Sequence, residues 1–407
     1  MLEDFYPAAE KILTDIVHII QKDPKLKTVE IIPRTTNANK SPVHHEEHSL
    51  GLESWCIQPV YCHAYQCVMN LRQNKQKSRD LNRLNTLLVG VLMINPDITT
   101  FWNMRKDLIN CGKLDPHFEL HFAALVLSRK PKSSDVYTHR KWVLSKILRG
   151  YNDKIELLAN EMNVCEVAAD RYSNNYHAWT HRLWCLNQGI ALQSKRLHFF
   201  LQELSWSQSW ILRHVSDYSG FHYRQQVLSM LCDASPNNYP DNAAPLFSSI
   251  ECDFKQFCEA QGINSNVEAS SVLKIIISEL CLNTGMINDF VAHEALWYHR
   301  RFILHMFKRH APSSCDSEAN KTWVPFELCH SNGDGVPSEK NQKIEMEDVK
   351  LLTELQAYEA SFLKQYSMDK TDAMSKKYAK RHLQWLTNYF KLNDFPTSHT
   401  RTSVLDR

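Results

Sequence analysis

Apolar residues recur at helical spacing along most of this chain. Near the N-terminus, Ala9, Ile12, Ile16 and Ile19 fall on one helix face and predict an amphipathic helix over residues 6–22. Farther along, apolar stretches of helical period alternate with short polar turns, and glycines follow some stretches as C-terminal stops. The pattern therefore predicts a unit of helix, polar turn and helix, which is an αα-hairpin.

The hairpins are predicted to begin near residue 80. Asn95-Pro96-Asp97 ends one helix and begins the next, because a residue before proline disfavours helix and Asp is a favourable cap. The later pairs are predicted at 117–129 and 135–149, 154–171 and 176–188, 195–206 and 219–231, and 271–284 and 293–308.

A three-residue signature marks the second helix of each unit. It has an aromatic residue at i, an arginine at i+3 and a large aliphatic residue at i+7, positions that align along one helix face. The five copies are Trp102 with Arg105 and Ile109, Tyr137 with Arg140 and Leu144, Trp179 with Arg182 and Leu186, Phe221 with Arg224 and Leu228, and Trp297 with Arg300 and Leu304. A degenerate sixth copy has Tyr378, Arg381 and Trp385.

The spacing of these signatures predicts stacked repeats. Their aromatic residues are 35, 42, 42 and 76 positions apart, and the last gap, near twice the period, predicts an insertion. Glycine makes up only ten of 407 residues, and no long alternating run predicts a sheet. We therefore expect an all-α fold, a right-handed superhelix of stacked αα-hairpins.

Four segments are expected along the chain. Breaks in the helical pattern and clusters of Pro, Asn, Ser and Gly set the boundaries. The segments are N-terminal helices and a polar loop over 1–80, αα-hairpin repeats over 81–310 with a loop insertion at about 234–262, a flexible linker over 311–345, and C-terminal capping helices over 346–391.

Composition and charge narrow the function classes. A net charge of +2 gives no basic face that predicts nucleic-acid binding. No apolar run reaches the length of a transmembrane helix and the N-terminus lacks a signal pattern, so we expect a cytoplasmic protein. The twelve cysteines are expected to be reduced and to lie largely in the core.

Two clusters resemble metal ligands in composition. The run from His44 to His48 has the wrong order for a metalloprotease helix and is interpreted as a solvated loop. Cys62 and Cys67 have no second cysteine pair at matching spacing, so buried core positions are preferred over zinc ligands. No metal site is therefore predicted in this chain.

The recurring aromatic and arginine residues are interpreted first as scaffold. A residue repeated in every unit serves the repeat, and a guanidinium can span to a carboxylate or to helix-terminal carbonyls of a neighbouring unit. The expected scaffold residues are Trp102, Arg105, Tyr137, Arg140, Trp179, Arg182, Phe221, Arg224, Trp297 and Arg300. Site chemistry is expected just before each signature, where the residues vary.

The motif from Asn175 to Arg182, Asn-Tyr-His-Ala-Trp-Thr-His-Arg, resembles the repeat of protein prenyltransferase alpha subunits. Pro131-Lys132 ahead of Tyr137 resembles the preceding repeat of that family. The resemblance implies a crescent of hairpins around a beta subunit, an α/α barrel that holds the catalytic zinc and the isoprenoid cavity. It also implies a Rab-type beta subunit as the partner and geranylgeranyl diphosphate as the co-substrate.

By the same resemblance, the pair is a geranylgeranyltransferase of type III that modifies a cysteine near a protein C-terminus, with SNARE proteins among the candidate acceptors. Lys132 matches the lysine that faces the isoprenoid diphosphate, where a cation stabilises the charge that develops on the leaving group. Asn175, Tyr176 and His177 match positions at the subunit interface near the isoprenoid and the substrate peptide.

The chain departs from the family pattern at a few positions, and two other functions stay open. Ser133 and Ser134 replace the usual Asn-Tyr, Tyr137 replaces the usual Trp, and Phe221 stands in the fourth repeat. The alternatives are a non-catalytic scaffold of tetratricopeptide type that binds a peptide in its groove, and a regulatory prenyltransferase-like subunit that has lost catalysis.

Overall fold

Helices dominate the computed structural model. It describes residues 6–34, 41–73, 80–150, 154–192, 196–234, 244–263, 269–310, 351, 354–355, 357–366 and 372–390. The chain divides into two compact units, Met1–Gln193 and Ser194–Arg407. The all-α helical-repeat fold expected from the sequence is confirmed, with one small sheet in the first unit.

The first unit contains eight of the described helices and three short strands. Its helices are α1 (Tyr6–Lys22), α2 (Ser54–Gln73), α3 (Leu81–Ile94), α4 (Thr99–Asn110), α5 (Pro116–Arg129), α6 (Ser134–Ile147), α7 (Lys154–Arg171) and α8 (Tyr176–Leu192). Its strands are β1 (Thr28–Ile32), β2 (Val43–Glu46) and β3 (Ser49–Glu53). Side-chain caps begin several helices; Asp115, for example, accepts a hydrogen bond from the Phe118 amide at the start of α5.

The α1 helix follows the predicted bounds and packs against α2 and α3. Its apolar face, including Leu13 and Ile16, is buried. A Cβ atom at Gly90 of α3 would clash with the Leu13 side chain. Glycine at this position therefore permits the close approach of α1 and α3.

The three strands form a sheet of order β1-β3-β2, with β1 parallel and β2 antiparallel to β3. The interpretation of His44 to His48 as a solvated loop was therefore wrong for His44 to Glu46, which lie in β2. Leu50 and Leu52 of β3 are buried on one face, and strands of four or five residues are too short to show a clear alternating pattern. Asp23 fixes the β2–β3 turn by accepting from His45 Nε2 at 2.9 Å and from His48 Nδ1 at 3.0 Å.

The second unit continues with paired helices. They are α9 (Arg196–Arg213), α10 (Tyr218–Ala234), α11 (Ala244–Ala260), α12 (Ser271–Asp289), α13 (Glu294–His310), α14 (the helical residues 357–365) and α15 (Ala373–Phe390). The core contains large aromatic and aliphatic side chains from these helices, among them Trp210, Ile277 and Phe307.

Helix α11 corrects a second expectation, the loop insertion at 234–262. Phe247, Ile250, Phe254 and Phe257 are buried at spacings of three and four residues, which place them on one helix face. The turn-forming residues of the segment, Pro236 to Asn242, fall before this helix in the sequence. The expected linker at 311–345 lies outside the described residues.

The cysteine expectation holds for some positions and fails for others. Cys56, Cys165, Cys185, Cys232 and Cys258 are buried as free thiols. The core placement of the pair considered as zinc ligands was wrong, because Cys62 is exposed and Cys67 is only partly buried, as α2 turns one side to solvent. Across the helices that the structure describes, none combines the length and apolar character needed to span a membrane.

Candidate functional site

Lys132 lies in the turn between α5 and α6, and this turn is held from both sides. The Pro131 carbonyl accepts a hydrogen bond from the Tyr137 hydroxyl at 3.0 Å and another from Asn175 Nδ2 at 2.7 Å. Ser133 is buried and its hydroxyl donates to Asp97 Oδ1 at 2.6 Å. The backbone that carries Lys132 is thus bonded to the preceding and following hairpins.

Asn175 is a positioning residue in this arrangement. It is fully buried, and its Nδ2 donates to the Pro131 carbonyl and, at 3.1 Å, to the Ala168 carbonyl. Its Oδ1 accepts from the Ala178 amide at 3.2 Å, which caps the N-terminus of α8. The side chain is therefore fully engaged within this chain.

An exposed aromatic ring contacts the Lys132 side chain, and the neighbouring turn carries two more rings. Its ammonium nitrogen lies 4.0 Å from the centroid of the Tyr172 ring, a cation–π contact at the end of α7. Tyr176 is 59% exposed and packs edge-on to the half-buried His177 ring, at 5.8 Å between centroids. Among the described residues, Lys132 has no carboxylate partner, so its charge is balanced by no acidic side chain there.

The replacement of Trp by Tyr at position 137 preserves one contact of the repeat. In the preceding repeat, Trp102 Nε1 donates to the Pro96 carbonyl at 2.7 Å, six residues upstream. Tyr137 makes the equivalent bond to Pro131, also six residues upstream. In both repeats the polar tip of the signature aromatic fixes the turn before its own helix, whereas Phe221 has no such donor.

All ten expected scaffold residues are buried. Four of the five signature arginines, Arg105, Arg140, Arg224 and Arg300, bond to glutamates of the following hairpin. Arg105 donates from Nε and Nη2 to the two carboxylate oxygens of Glu119, at 2.7 and 2.6 Å. His139, the residue before the next signature arginine, contacts the same carboxylate at 2.7 Å. Each such glutamate therefore joins two successive signature helices, an arrangement we call the Arg–Glu–His tie.

The tie recurs four times among the described residues. Its members are Arg105, Glu119 and His139; Arg140, Glu161 and His181; Arg224, Glu279 and His299; and Arg300, Glu359 and His382. Two ties fall in each compact unit. Another buried glutamate, Glu203, accepts a hydrogen bond from the Tyr223 hydroxyl at its Oε1, at 2.6 Å.

The glutamates of the four ties are held ionised. Burial by itself would raise their pKa values, but the paired arginine, together with the histidine, lowers each pKa from 4.5 to about 2. Burial lowers the pKa of His139 and His382 below 6.5, although the adjacent glutamate opposes this shift. These groups form a structural network of charges rather than a titrating catalytic pair.

The structure brings Lys132, Asn175, Tyr176 and His177 into neighbouring turns, as a site would require. Tyr172, which contacts Lys132, was missed because it lies before the recognised motif and has no repeat signature. The tie glutamates were also missed. They lie 14, 21, 55 and 59 positions after their arginines, so no fixed spacing identifies them.

The fold and the site define a helical-repeat protein. Its hairpins are connected by buried Arg–Glu–His ties, and one turn between helices carries Lys132. The sequence matches the protein prenyltransferase alpha subunit repeat over residues 158–189 and 200–231. It is 32% identical over 355 residues to protein prenyltransferase alpha subunit repeat-containing protein 1 of Danio rerio, covering 79% of this chain and 80% of that protein. The chain therefore belongs to the protein prenyltransferase alpha subunit repeat family, which confirms the resemblance seen in the motif.

Two other relatives share less of their length with this chain, in different degrees. The Homo sapiens protein prenyltransferase alpha subunit repeat-containing protein 1 is 33% identical over 324 residues, which cover 75% of this chain and 79% of that protein. The geranylgeranyl transferase type-2 subunit alpha of Rattus norvegicus is 26% identical over 195 residues, which cover 46% of this chain and 31% of that subunit. The chain is thus related to prenyltransferase alpha subunits.

Proposed function

We propose that this chain is the alpha subunit of a heterodimeric protein geranylgeranyltransferase resembling type III. The observation that carries the proposal is the Lys132 turn: an exposed ammonium without a carboxylate partner among the described residues, on a backbone bonded to Asn175 and Tyr137. Relationship to a geranylgeranyl transferase type-2 subunit alpha supports the reaction class.

In this proposal Lys132 binds the diphosphate of geranylgeranyl diphosphate. Negative charge builds on the leaving diphosphate as the bond to the isoprenoid carbon lengthens, and a preorganised cation stabilises that charge. Asn175 positions the turn from a buried location, so its role is indirect. The exposed Tyr176 and the half-buried His177 would face the isoprenoid and the substrate peptide.

The proposed partner is a beta subunit of the Rab geranylgeranyltransferase type, and the proposed location is the cytoplasm. That subunit would hold the catalytic zinc, which would favour loss of the proton from the acceptor protein's cysteine thiol and so activate it as a thiolate nucleophile. The side chain in contact with Lys132 is the Tyr172 ring, which is not a usual zinc ligand, so this turn fits a diphosphate contact rather than the zinc site. A SNARE protein with a cysteine near its C-terminus is one proposed acceptor.

The test is co-expression of the full chain with a Rab-type beta subunit, gel filtration, and a geranylgeranyl-transfer assay with zinc. We expect a one-to-one complex that transfers the lipid only when both chains are present. Lys132→Ala should lower kcat by about 100-fold, the loss typical of removing one preorganised group that stabilises transition-state charge. Lys132→Arg keeps the charge and should retain more activity than the alanine variant.

Lys113→Ala is the matched control. Lys113 is exposed and lies before α5, at the opposite end of that helix from Lys132, roughly 20 Å away for 14 residues. The Lys113→Ala substitution should leave both the formation of the complex and the transfer rate unchanged. A stable complex whose activity is unaffected by Lys132→Ala would refute the diphosphate role. Failure to bind any prenyltransferase beta subunit would favour the scaffold alternative, and an inactive complex would favour the regulatory one.

A further inference from the structure

The strongest unassigned cluster lies between α1 and α2, away from the Lys132 turn. Glu10, His63 and Cys67 each offer a metal-ligating atom there, and these atoms lie within 4.8 Å of one another. It is the one such group among the described residues. We propose that Glu10, His63 and Cys67 bind a zinc ion, with a water molecule as the fourth ligand.

The separations fit a tetrahedral zinc site. His63 Nε2 lies 3.0 Å from Glu10 Oε1 and 3.8 Å from Cys67 Sγ. Zinc bonds of about 2.0–2.3 Å at tetrahedral angles place neighbouring nitrogen and oxygen ligands about 3.4 Å apart, and nitrogen and sulfur about 3.6 Å apart. The separations of Nε2 from Glu10 Oε1 and Cys67 Sγ are therefore within a few tenths of an ångström of a zinc geometry, with Nε2 as the histidine ligand, and the Glu10 and Cys67 ligand atoms lie within 4.8 Å of each other.

Secondary structure presents the ligands together. His63 and Cys67 are four residues apart on α2, so they lie on the same face one turn apart. Glu10 reaches them from α1, which packs against α2. In the sequence, Cys62 is the cysteine nearest to Cys67. Residues five apart point in different directions on a helix, so these two cysteines do not share a site. The partners of Cys67 are instead a histidine, His63, and a glutamate, Glu10.

Charge and access suit a divalent cation. His63 is buried, whereas Glu10 and Cys67 are partly exposed, which leaves a path for the ion and a side for water. On binding, the Cys67 thiol releases its proton to solvent as the zinc–sulfur bond forms, and the resulting thiolate and the Glu10 carboxylate balance the two positive charges of zinc. Arg83, whose Nη2 lies 2.7 Å from Glu10 Oε1, is half exposed and would remain beside the coordinating carboxylate as a positioning residue.

The site is separate from the zinc proposed for the beta subunit, so it is tested on the full chain purified alone. Titration of the metal-free chain with Co²⁺ should produce the visible bands of tetrahedral cobalt and a near-ultraviolet sulfur-to-metal band, and Zn²⁺ should displace both. Cys67→Ser should abolish the sulfur band, and His63→Gln should abolish the tetrahedral spectrum. Cys62→Ser, on the exposed side of the same helix, is the matched control and should bind normally.

A second measurement uses the unmodified chain and does not depend on variants that fold. Zn²⁺ should slow alkylation of Cys67, followed by mass spectrometry of its peptide, and leave alkylation of the exposed Cys62 unchanged. Equal alkylation of Cys67 with and without Zn²⁺, or a cobalt spectrum that persists in Cys67→Ser, would overturn the proposal.

Discussion

At the scale of single residues, the positioning of Lys132 depends on an amide that never reaches the solvent. Asn175 is 0% exposed, and its side chain satisfies two carbonyls and one amide from three segments of the chain. Asn174 before it has a φ of 55°, a left-handed conformation that asparagine tolerates better than most residues. Asn174 therefore forms the turn and Asn175 caps the helix. These structural roles account for both asparagines without a catalytic role for either.

We expect Asn175→Ala to destabilise the chain by about 2 kcal/mol, since it removes the α8 cap and leaves two carbonyls short of a donor. The free energy of unfolding from urea titration measures this change. Asn163→Ala is the control, because Asn163 is exposed on α7, and its effect should stay within about 0.5 kcal/mol. Equal effects of the two substitutions would contradict the positioning role.

At the scale of helices, the ties set the register of neighbouring hairpins. Glu161 on α7 contacts Arg140 on α6 and His181 on α8, so a single carboxylate joins three successive helices. Arg140 also donates to the Leu120 carbonyl of α5 through a short hydrogen bond. A buried ion pair adds little net stability over apolar packing, and we infer that the ties are retained because they specify one arrangement of the helices.

The buried Glu203 gives a related test in the second unit, of what one donor to a buried carboxylate contributes. Tyr223→Phe should cost about 1–2 kcal/mol in unfolding free energy, because the buried Glu203 carboxylate loses a donor at 2.6 Å while the ring volume is unchanged. Tyr298→Phe makes the same chemical change at a ring that is 49% exposed, and should be nearly neutral. If the two substitutions have equal costs, the Tyr223 hydroxyl does not contribute through Glu203.

The sequence predicted most helices correctly, but it did not predict the short strands, helix α11 or the glutamates that connect the hairpins. Helix α7 has the predicted bounds, because its apolar period and flanking turns are both local signals. Helix α11 was missed because Pro and Asn residues precede it, and β2 and β3 were missed because four or five residues carry too little pattern. The tie glutamates depend on tertiary contacts across 14 to 59 positions, which local periodicity does not contain.

At the scale of the whole molecule, the net charge is close to zero although several charged side chains are buried. The net charge is +2, yet four fully ionised glutamates lie buried, two in each compact unit. Every one depends on an arginine that is also buried. The stability of the fold is therefore coupled to the protonation of these carboxylates in both units.

This coupling predicts that the chain loses stability on acidification. The tie glutamates have a pKa of about 2 in the folded chain and an ordinary value of 4.5, so the unfolded chain binds more protons as the pH falls from about 4.5 toward 2. Each of these carboxyl groups then lowers the free energy of unfolding by up to about 1.4 kcal/mol for each pH unit. The lowered pKa of His139 and His382 acts in the same direction, beginning below pH 6.5.

Glu161→Gln isolates the contribution of one tie. At pH 7 it should destabilise the chain by about 3–5 kcal/mol, because Arg140 is left buried without its counter-charge. Glutamine does not titrate, so the stability difference between the original chain and the variant should shrink as the pH falls from about 4.5 toward 2, because only the original chain takes up a proton at this position when it unfolds. Urea titrations of both proteins from pH 7 to about pH 3 measure this difference. A difference that is independent of pH would show that Glu161 is not ionised in the folded chain.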